Sequence, residues 1–200
     1  PSDPSAILAF LPAELRSEVE VTLSDGPTVI PAGAFGGMWL RRDDGTRYCT
    51  SGWSVVHPDG RTGVSGAGHC TRITSIEHPG HGIHSVNWQA QHIGEWGDVE
   101  WYTSPELEPP YFYADRTTVR DVRAVEPRAA ISVGEYVCVY GRASDARNCS
   151  MRVRDVSLAC GQLNRLVRMN GGFVIGGDSG GGWSYGNAAY GATFGSCDGL

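Results

Sequence analysis

Residues 176–181 read Gly-Gly-Asp-Ser-Gly-Gly, and this short stretch is the most informative part of the sequence. A serine is a poor nucleophile unless a base takes its proton and backbone donors hold the resulting oxyanion. Because glycines carry no side chain, the amides of Gly177 and Ser179 can face one point while the Ser179 hydroxyl stands exposed beside it. The stretch therefore predicts a nucleophile turn, with these two amides as its oxyanion hole.

A candidate base for Ser179 lies far upstream, where residues 67–70 read Ala-Gly-His-Cys. All six histidines precede Ser179, which excludes an α/β-hydrolase because its histidine follows the serine. A subtilisin-like order would place the acid before the histidine, but the early acids at positions 43, 44 and 59 lie in turn-like segments. The remaining order is histidine, acid, serine, which is that of the chymotrypsin-like proteases.

The chain resembles the secreted bacterial branch of those proteases, the streptogrisin and α-lytic protease group. Residues 49–53, Cys-Thr-Ser-Gly-Trp, and 66–70, Gly-Ala-Gly-His-Cys, resemble that group's first hairpin and histidine loop. Residues 97–102, Gly-Asp-Val-Glu-Trp-Tyr, resemble its Asp-x-x-Trp segment. The resemblance covers about residues 45–197. It implies an all-β fold of two packed antiparallel β-barrels, with the active site at their junction.

The resemblance also implies a catalytic triad and an activity. His69 is then the general base, Asp98 the carboxylate that orients it, and Ser179 the nucleophile of a serine endopeptidase. Glu95 and Glu100 remain alternatives to Asp98, since Glu100 is two residues away and shares its strand face. Protein or peptide substrates are expected, and no cofactor or metal is needed.

The six cysteines occupy positions 49, 70, 138, 149, 160 and 197. An even count without a Cys-x-x-Cys pair indicates three disulfides and an oxidising, extracytoplasmic compartment, whereas six buried free thiols would indicate a cytosolic protein. The family resemblance implies the pairs Cys49–Cys70 and Cys138–Cys149, and Cys160 and Cys197 are then left to each other. We therefore expect a secreted protein.

The chain departs from the family pattern beside the nucleophile. Family members hold the acid next to the serine with a positive charge, and bacterial members use an arginine where this chain has Val139. Arg142 is the substitute that we expect to pair with Asp178. Phe194 stands where the family has a serine that touches the triad acid. These departures leave an alternative open, a binding protein with the protease fold and a silent triad.

The expected substrate groove gives a loose prediction of specificity. A pocket for Arg or Lys side chains has a carboxylate six residues before the nucleophile, and here that position is Phe173. Apolar or small side chains are therefore the expected preference. The groove residues are Phe173, Val174, Phe194, Gly195 and Ser196.

Composition excludes several other classes of function. The chain has 200 residues, 16 basic against 22 acidic side chains and a net charge of -6, which argues against nucleic acid as a partner. No stretch approaches the ~20 apolar residues that span a bilayer, so no membrane partner is expected. A monomer is the expected state.

Short apolar runs broken by Gly, Asp and Pro predict an all-β barrel or sandwich. Residues 1–28 are expected to form an N-terminal arm, with a short helix at 13–20 after Pro12. The first barrel is expected at 29–110 and the second at 111–200, joined by the proline-containing segment 105–110. Residues 78–84 contain three histidines and are expected to form a solvated loop rather than a metal site.

Overall fold

The computed structural model describes residues 33–105, 107–171 and 174–197. Within these ranges the chain forms eighteen β-strands and no helix, so the predicted all-β class is confirmed. The arm expected at 1–28, the helix expected at 13–20 and the groove residue Phe173 lie outside the described residues. In the part of the chain that is described, no helix is long and apolar enough to cross a membrane.

Two four-stranded antiparallel sheets contain more than half of the described residues up to 103. Their strand orders are β3–β2–β6–β7 and β4–β5–β9–β8, and a third sheet has the order β1–β10–β11. The strands are β1 Ala34–Gly36, β2 Trp39–Arg42, β3 Arg47–Thr50, β4 Ser54–Val56, β5 Thr62–Gly66, β6 Ile73–His78, β7 Gly82–Ser85, β8 Asn87–Gly94, β9 Gly97–Thr103, β10 Leu107–Tyr113 and β11 Val119–Asp121.

The third sheet runs across the boundary that we expected between the two barrels. Strand β10 pairs in parallel with β1 and antiparallel with β11, so residues 110 and 111 are consecutive positions of one strand. The three prolines of segment 105–110 suggested a connection here, because proline has no amide to donate to a neighbouring strand. Its carbonyl still accepts, however, and that of Pro110 takes a hydrogen bond from the Val122 amide over 2.6 Å.

The remaining strands form a five-stranded sheet and a hairpin. The sheet has the order β12–β18–β17–β13–β14, and the antiparallel hairpin consists of β15 and β16. The bounds are β12 Ala124–Val125, β13 Cys138–Gly141, β14 Ala146–Asn148, β15 Arg152–Cys160, β16 Leu163–Asn170, β17 Gly182–Tyr185 and β18 Ala188–Ala192.

Apolar side chains are buried in both regions of the chain. Burial of this kind contributes the main free energy of folding, about 25 cal/mol for each Å² removed from water. In the described chain up to β9, fully buried side chains include Met38, Leu40, Val64, Ile76 and Tyr102. Beyond residue 130, a cluster of Ile131, Val137 and Val153 is covered by Val156, Val167, Met169, Trp183 and Tyr190.

The histidine-containing segment 78–84 is a hairpin rather than the solvated loop that we expected. His78 ends β6 and is buried, where its Nε2 lies 2.7 Å from the Tyr113 hydroxyl. His84, on β7, is also buried, while Gly80 adopts a positive φ in the turn between the two strands. The glycines and proline indicated the turn correctly, but strand pairing carries the flanking histidines into the interior.

Three disulfides cross-link the described residues. They join Cys49 to Cys70, Cys138 to Cys149 and Cys160 to Cys197. The first connects the end of β3 to the residue after His69, and therefore restrains the loop that carries the candidate base.

Candidate active site

Three side chains from distant parts of the chain meet in one hydrogen-bonded row. His69 follows β5, Asp98 is the second residue of β9, and Ser179 lies in the turn before β17. His69 Nδ1 lies 2.5 Å from Asp98 Oδ2, and its Nε2 lies 2.9 Å from Ser179 Oγ. Both distances are within hydrogen-bond range, so the imidazole connects a carboxylate to a hydroxyl.

The other carboxylates considered for the orienting role have different partners. Glu95 is exposed and forms an ion pair with Arg165 at 3.2 Å. Glu100 is buried on β9 and accepts a hydrogen bond from the hydroxyl of Tyr102. The carboxylate against the imidazole is therefore that of Asp98.

Asp98 is enclosed by a backbone that tolerates no side chain at Gly68. Its side chain is 1 % exposed, and a Cβ at Gly68 would lie only 2.7 Å from Asp98 Oδ1. The same Oδ1 accepts no hydrogen bond from the described residues. A buried carboxylate oxygen without a donor costs free energy, so Asp98 depends on His69 for its main polar contact.

The imidazole of His69 is placed to act as a base. The hydrogen bond to Asp98 raises the pKa of His69 above the ordinary 6.5, and burial of the imidazole opposes this rise. The charges of Asp98 and Glu100 also raise the pKa of His69. The Phe194 ring meets the imidazole edge to face, with ring centroids 5.9 Å apart. This packing covers one side of the ring while its Nε2 remains directed at Ser179.

The turn that carries the nucleophile requires glycine at position 177. Gly177 has φ of +100°, and a Cβ there would lie 2.8 Å from that of Ala143. Within the described residues, the amides of Gly177 and Ser179 donate to no protein acceptor. Both donors are thus available to a ligand, which is the arrangement that an oxyanion hole needs.

Asp178 is held by the main chain and not by the arginine that we expected. Its Oδ1 accepts from the amides of Ala143 and Ser144 at 3.0 and 2.9 Å, and its Oδ2 accepts from the Ile175 amide at 3.1 Å. Such donors satisfy a buried carboxylate without a counter-ion. The expectation of a pair with Arg142 is therefore wrong.

Arg142 lies in a different buried environment. Its guanidinium donates to the carbonyl of Gly37 at 2.8 Å and faces the rings of Tyr113 and Tyr140, with its carbon 4.5 and 5.0 Å from the ring centroids. Burial lowers its pKa, and the neighbouring tyrosines oppose this effect. Its charge is stabilised by ring faces and a carbonyl oxygen rather than by Asp178.

Thr50 is a site residue that the sequence did not reveal. Its hydroxyl donates to the carbonyl of Gly177 at 2.8 Å and accepts from the amide of Arg142 at 3.0 Å. Its own amide donates to the carbonyl of Ser179 at 2.9 Å. The only available signal was its position directly after Cys49, in the first of the two quoted motifs.

The expected groove residues lie at different distances from the nucleophile. The carbonyl of Phe194 lies 3.5 Å from Ser179 Oγ, and Gly195 and Ser196 follow it as exposed residues outside any strand. Val174 is half-buried in the segment before the nucleophile turn. A cavity of about 360 Å³ opens beside Ser179, and its lining includes Trp39 and Tyr48.

One group of potential metal ligands occurs among the described residues, and it belongs to this site. It consists of Cys49, His69 and Cys70, whose donor atoms lie within 4.8 Å of one another. The two sulfurs are bonded to each other, and the imidazole already contacts Asp98 and Ser179. A disulfide offers no thiolate to a metal ion.

Comparison with solved structures shows which fold this is. The chain is similar to a Nocardiopsis protease (18 % identity, TM-score 0.60, 79 % of this chain and 81 % of the other). It is also similar to a glutamic-acid-specific serine protease that uses a histidine triad in substrate binding (21 % identity, TM-score 0.62, 83 % of this chain and 88 % of the other). A third similar structure is the α-lytic protease homolog N4 (19 % identity, TM-score 0.61, 82 % of this chain and 85 % of the other).

These solved structures are bacterial chymotrypsin-like serine proteases, and the chain has their two-barrel fold. No protein-family model matches the chain. No curated protein sequence matches it either.

Proposed function

We propose that this chain is a secreted, monomeric serine endopeptidase that cleaves peptide bonds through the triad of Ser179, His69 and Asp98. The observation that carries the proposal is the continuous row from Asp98 Oδ2 through the imidazole to Ser179 Oγ, with spacings of 2.5 and 2.9 Å. The amides of Gly177 and Ser179, which donate to no acceptor among the described residues, support it, as does the similarity in fold to serine proteases.

The proposed reaction begins with attack of Ser179 Oγ on a peptide carbonyl while His69 Nε2 takes the hydroxyl proton. The amides of Gly177 and Ser179 hold the oxyanion, and one such donor contributes about 3–4 kcal/mol. His69 then gives the proton to the leaving amine, and Asp98 stabilises the imidazolium throughout. Water then hydrolyses the acyl-enzyme in the same two steps, with water as the attacking group and Ser179 Oγ as the leaving group that receives the proton from His69. Neither step requires a metal ion.

The proposed substrate preference is for apolar or small side chains next to the scissile bond. Val174 and Ile175 precede the nucleophile turn and carry no charge, and the aromatic Phe194 lies against His69 on the other side. A cationic side chain would find no carboxylate among these groups to replace its hydration. Proteins or peptides with hydrophobic segments are therefore the proposed substrates.

A fluorophosphonate probe followed by peptide mapping tests the function. We expect stoichiometric labelling at Ser179, because phosphonylation of the hydroxyl, with loss of fluoride from the probe, requires both an activated hydroxyl and an oxyanion hole. Labelling should be lost in Ser179→Ala and in His69→Ala, and retained in Ser150→Ala, which removes an exposed hydroxyl. A folded protein that remains unlabelled would overturn the proposal in favour of a protease-fold binding protein.

A further inference from the structure

A second buried carboxyl lies behind the triad, and the proposed reaction gives it no role. Glu100 follows Asp98 on the inward face of β9 and is 2 % exposed. It faces Gly66 on β5, where a Cβ would lie 3.7 Å from Glu100 Oε1. Acidic side chains are almost never this buried unless they have a charged partner, so its surroundings need an explanation.

The Tyr102 hydroxyl can satisfy Glu100 in both of its protonation states. This hydroxyl is in hydrogen-bond contact with Glu100 Oε1 and lies 3.3 Å from the carbonyl of Cys70. It donates to an ionised Glu100. When Glu100 is protonated, the acid donates to the phenol oxygen, and the phenol hydrogen turns to Cys70. The proton can therefore come and go without any movement of heavy atoms.

The charges near Glu100 are those of the triad. Burial raises the pKa of Glu100 to about 7, and the charge of Asp98 adds to the rise. The hydrogen bond from Tyr102, the charge of His69 and a hydrogen bond from Trp88 on β8 act in the opposite direction. The residues that pair with Glu100 on the two neighbouring strands are uncharged. They are Gly66 on β5 and Gln91 on β8.

We propose that Glu100 is a positioning residue for the triad, whose buried carboxyl gains and loses a proton and thereby adjusts the basicity of His69. The inference rests on the proposed roles of His69 and Asp98. An ionised Glu100 stabilises the imidazolium and raises the pKa of His69, whereas a protonated Glu100 does not. The base then becomes stronger as the pH rises through the titration of Glu100.

An NMR titration of the His69 imidazole tests the charge coupling. It uses the Ser179→Ala protein with and without Glu100→Gln, since glutamine keeps an acceptor for Tyr102 but carries no charge. We expect Glu100→Gln to lower the titration midpoint of His69 by roughly half a pH unit. Glu95→Gln is the matched control, because that carboxylate is exposed and paired with Arg165. Equal midpoints with and without Glu100→Gln would overturn the proposal.

A second measurement leaves Glu100 in place and so does not depend on whether the Glu100→Gln protein folds normally. The side-chain carboxyl carbon of Glu100, labelled with ¹³C in the Ser179→Ala protein, should titrate near pH 7. A midpoint near the ordinary 4.5 would overturn the proposal. Neither measurement requires peptide cleavage. Failure of the probe to label Ser179 would thus reject the proposed function, and an ordinary Glu100 titration would reject only this inference.

Discussion

The Thr50 hydroxyl donates a hydrogen bond to the carbonyl of Gly177 over 2.8 Å, although 127 positions separate the two residues. The same hydroxyl accepts from the Arg142 amide. Thr50 thereby fixes the nucleophile turn to β3, next to the disulfide that restrains the loop of His69. The relative position of His69 and Ser179 depends on this partly buried contact.

Replacing Thr50 by valine should reduce both stability and turnover. Valine keeps the shape but leaves the buried amide of Arg142 and the partly buried carbonyl of Gly177 without this partner. A buried group left unsatisfied costs about 1–3 kcal/mol, and a partly buried one costs less. Urea denaturation and steady-state kinetics measure the two effects. Thr50→Ser keeps the hydroxyl and should retain most of the turnover. Equal turnover in the two variants would show that the hydrogen bonds do not position the turn.

Gly177→Ala should abolish most of the activity through the oxyanion hole. The φ of +100° disfavours alanine, and the added methyl would meet the Cβ of Ala143 at 2.8 Å. The amide of residue 177 must therefore move, and loss of one oxyanion donor lowers kcat by roughly 10²–10³. Gly134→Ala is the control, since Gly134 has φ of +97° in open space. It should lose stability and keep kcat.

The sequence predicts this site where its chemistry is local. The glycine-rich run around Ser179 and the short motif at His69 are contiguous, so their residue types indicate their roles directly. The predicted partner of Asp178 was wrong because backbone amides have no sequence signature. Only the folded chain brings the amides of Ala143 and Ser144 to the Asp178 carboxylate. Thr50 was missed for the same reason.

Asp98→Asn should lower turnover by roughly 10⁴, because an amide no longer stabilises the imidazolium or holds the reactive tautomer. Single-turnover kinetics with a peptide substrate measure the chemical step. Glu95→Gln removes an exposed carboxylate near the same strand and should leave the rate unchanged. A mild effect of Asp98→Asn would contradict the role of this carboxylate.

The dependence of kcat/KM on pH should show an acid limb with its midpoint above 6.5. His69 must be neutral to take the proton of Ser179, and the hydrogen bond that its imidazole donates to Asp98 raises the pKa of His69 above that ordinary value. Activity is therefore lost as the pH falls through the raised pKa, and it is present above it. Peptide hydrolysis measured between pH 4 and 9 gives the midpoint. A midpoint well below 6.5 would show that burial outweighs the carboxylate.

Phe194→Ser should increase kcat/KM relative to Phe194→Ala, because a serine offers a hydroxyl that can donate a hydrogen bond to the Asp98 carboxylate. Among the described residues nothing donates to Asp98 Oδ1, and the sequence resemblance implied that a serine at this position would touch this acid. A hydrogen bond of this kind contributes about 0.5–1.5 kcal/mol, or roughly 2- to 10-fold in rate. Both variants remove the ring that packs on His69, so their ratio isolates the hydroxyl. Equal values of kcat/KM would show that the buried oxygen of Asp98 gains nothing from a donor.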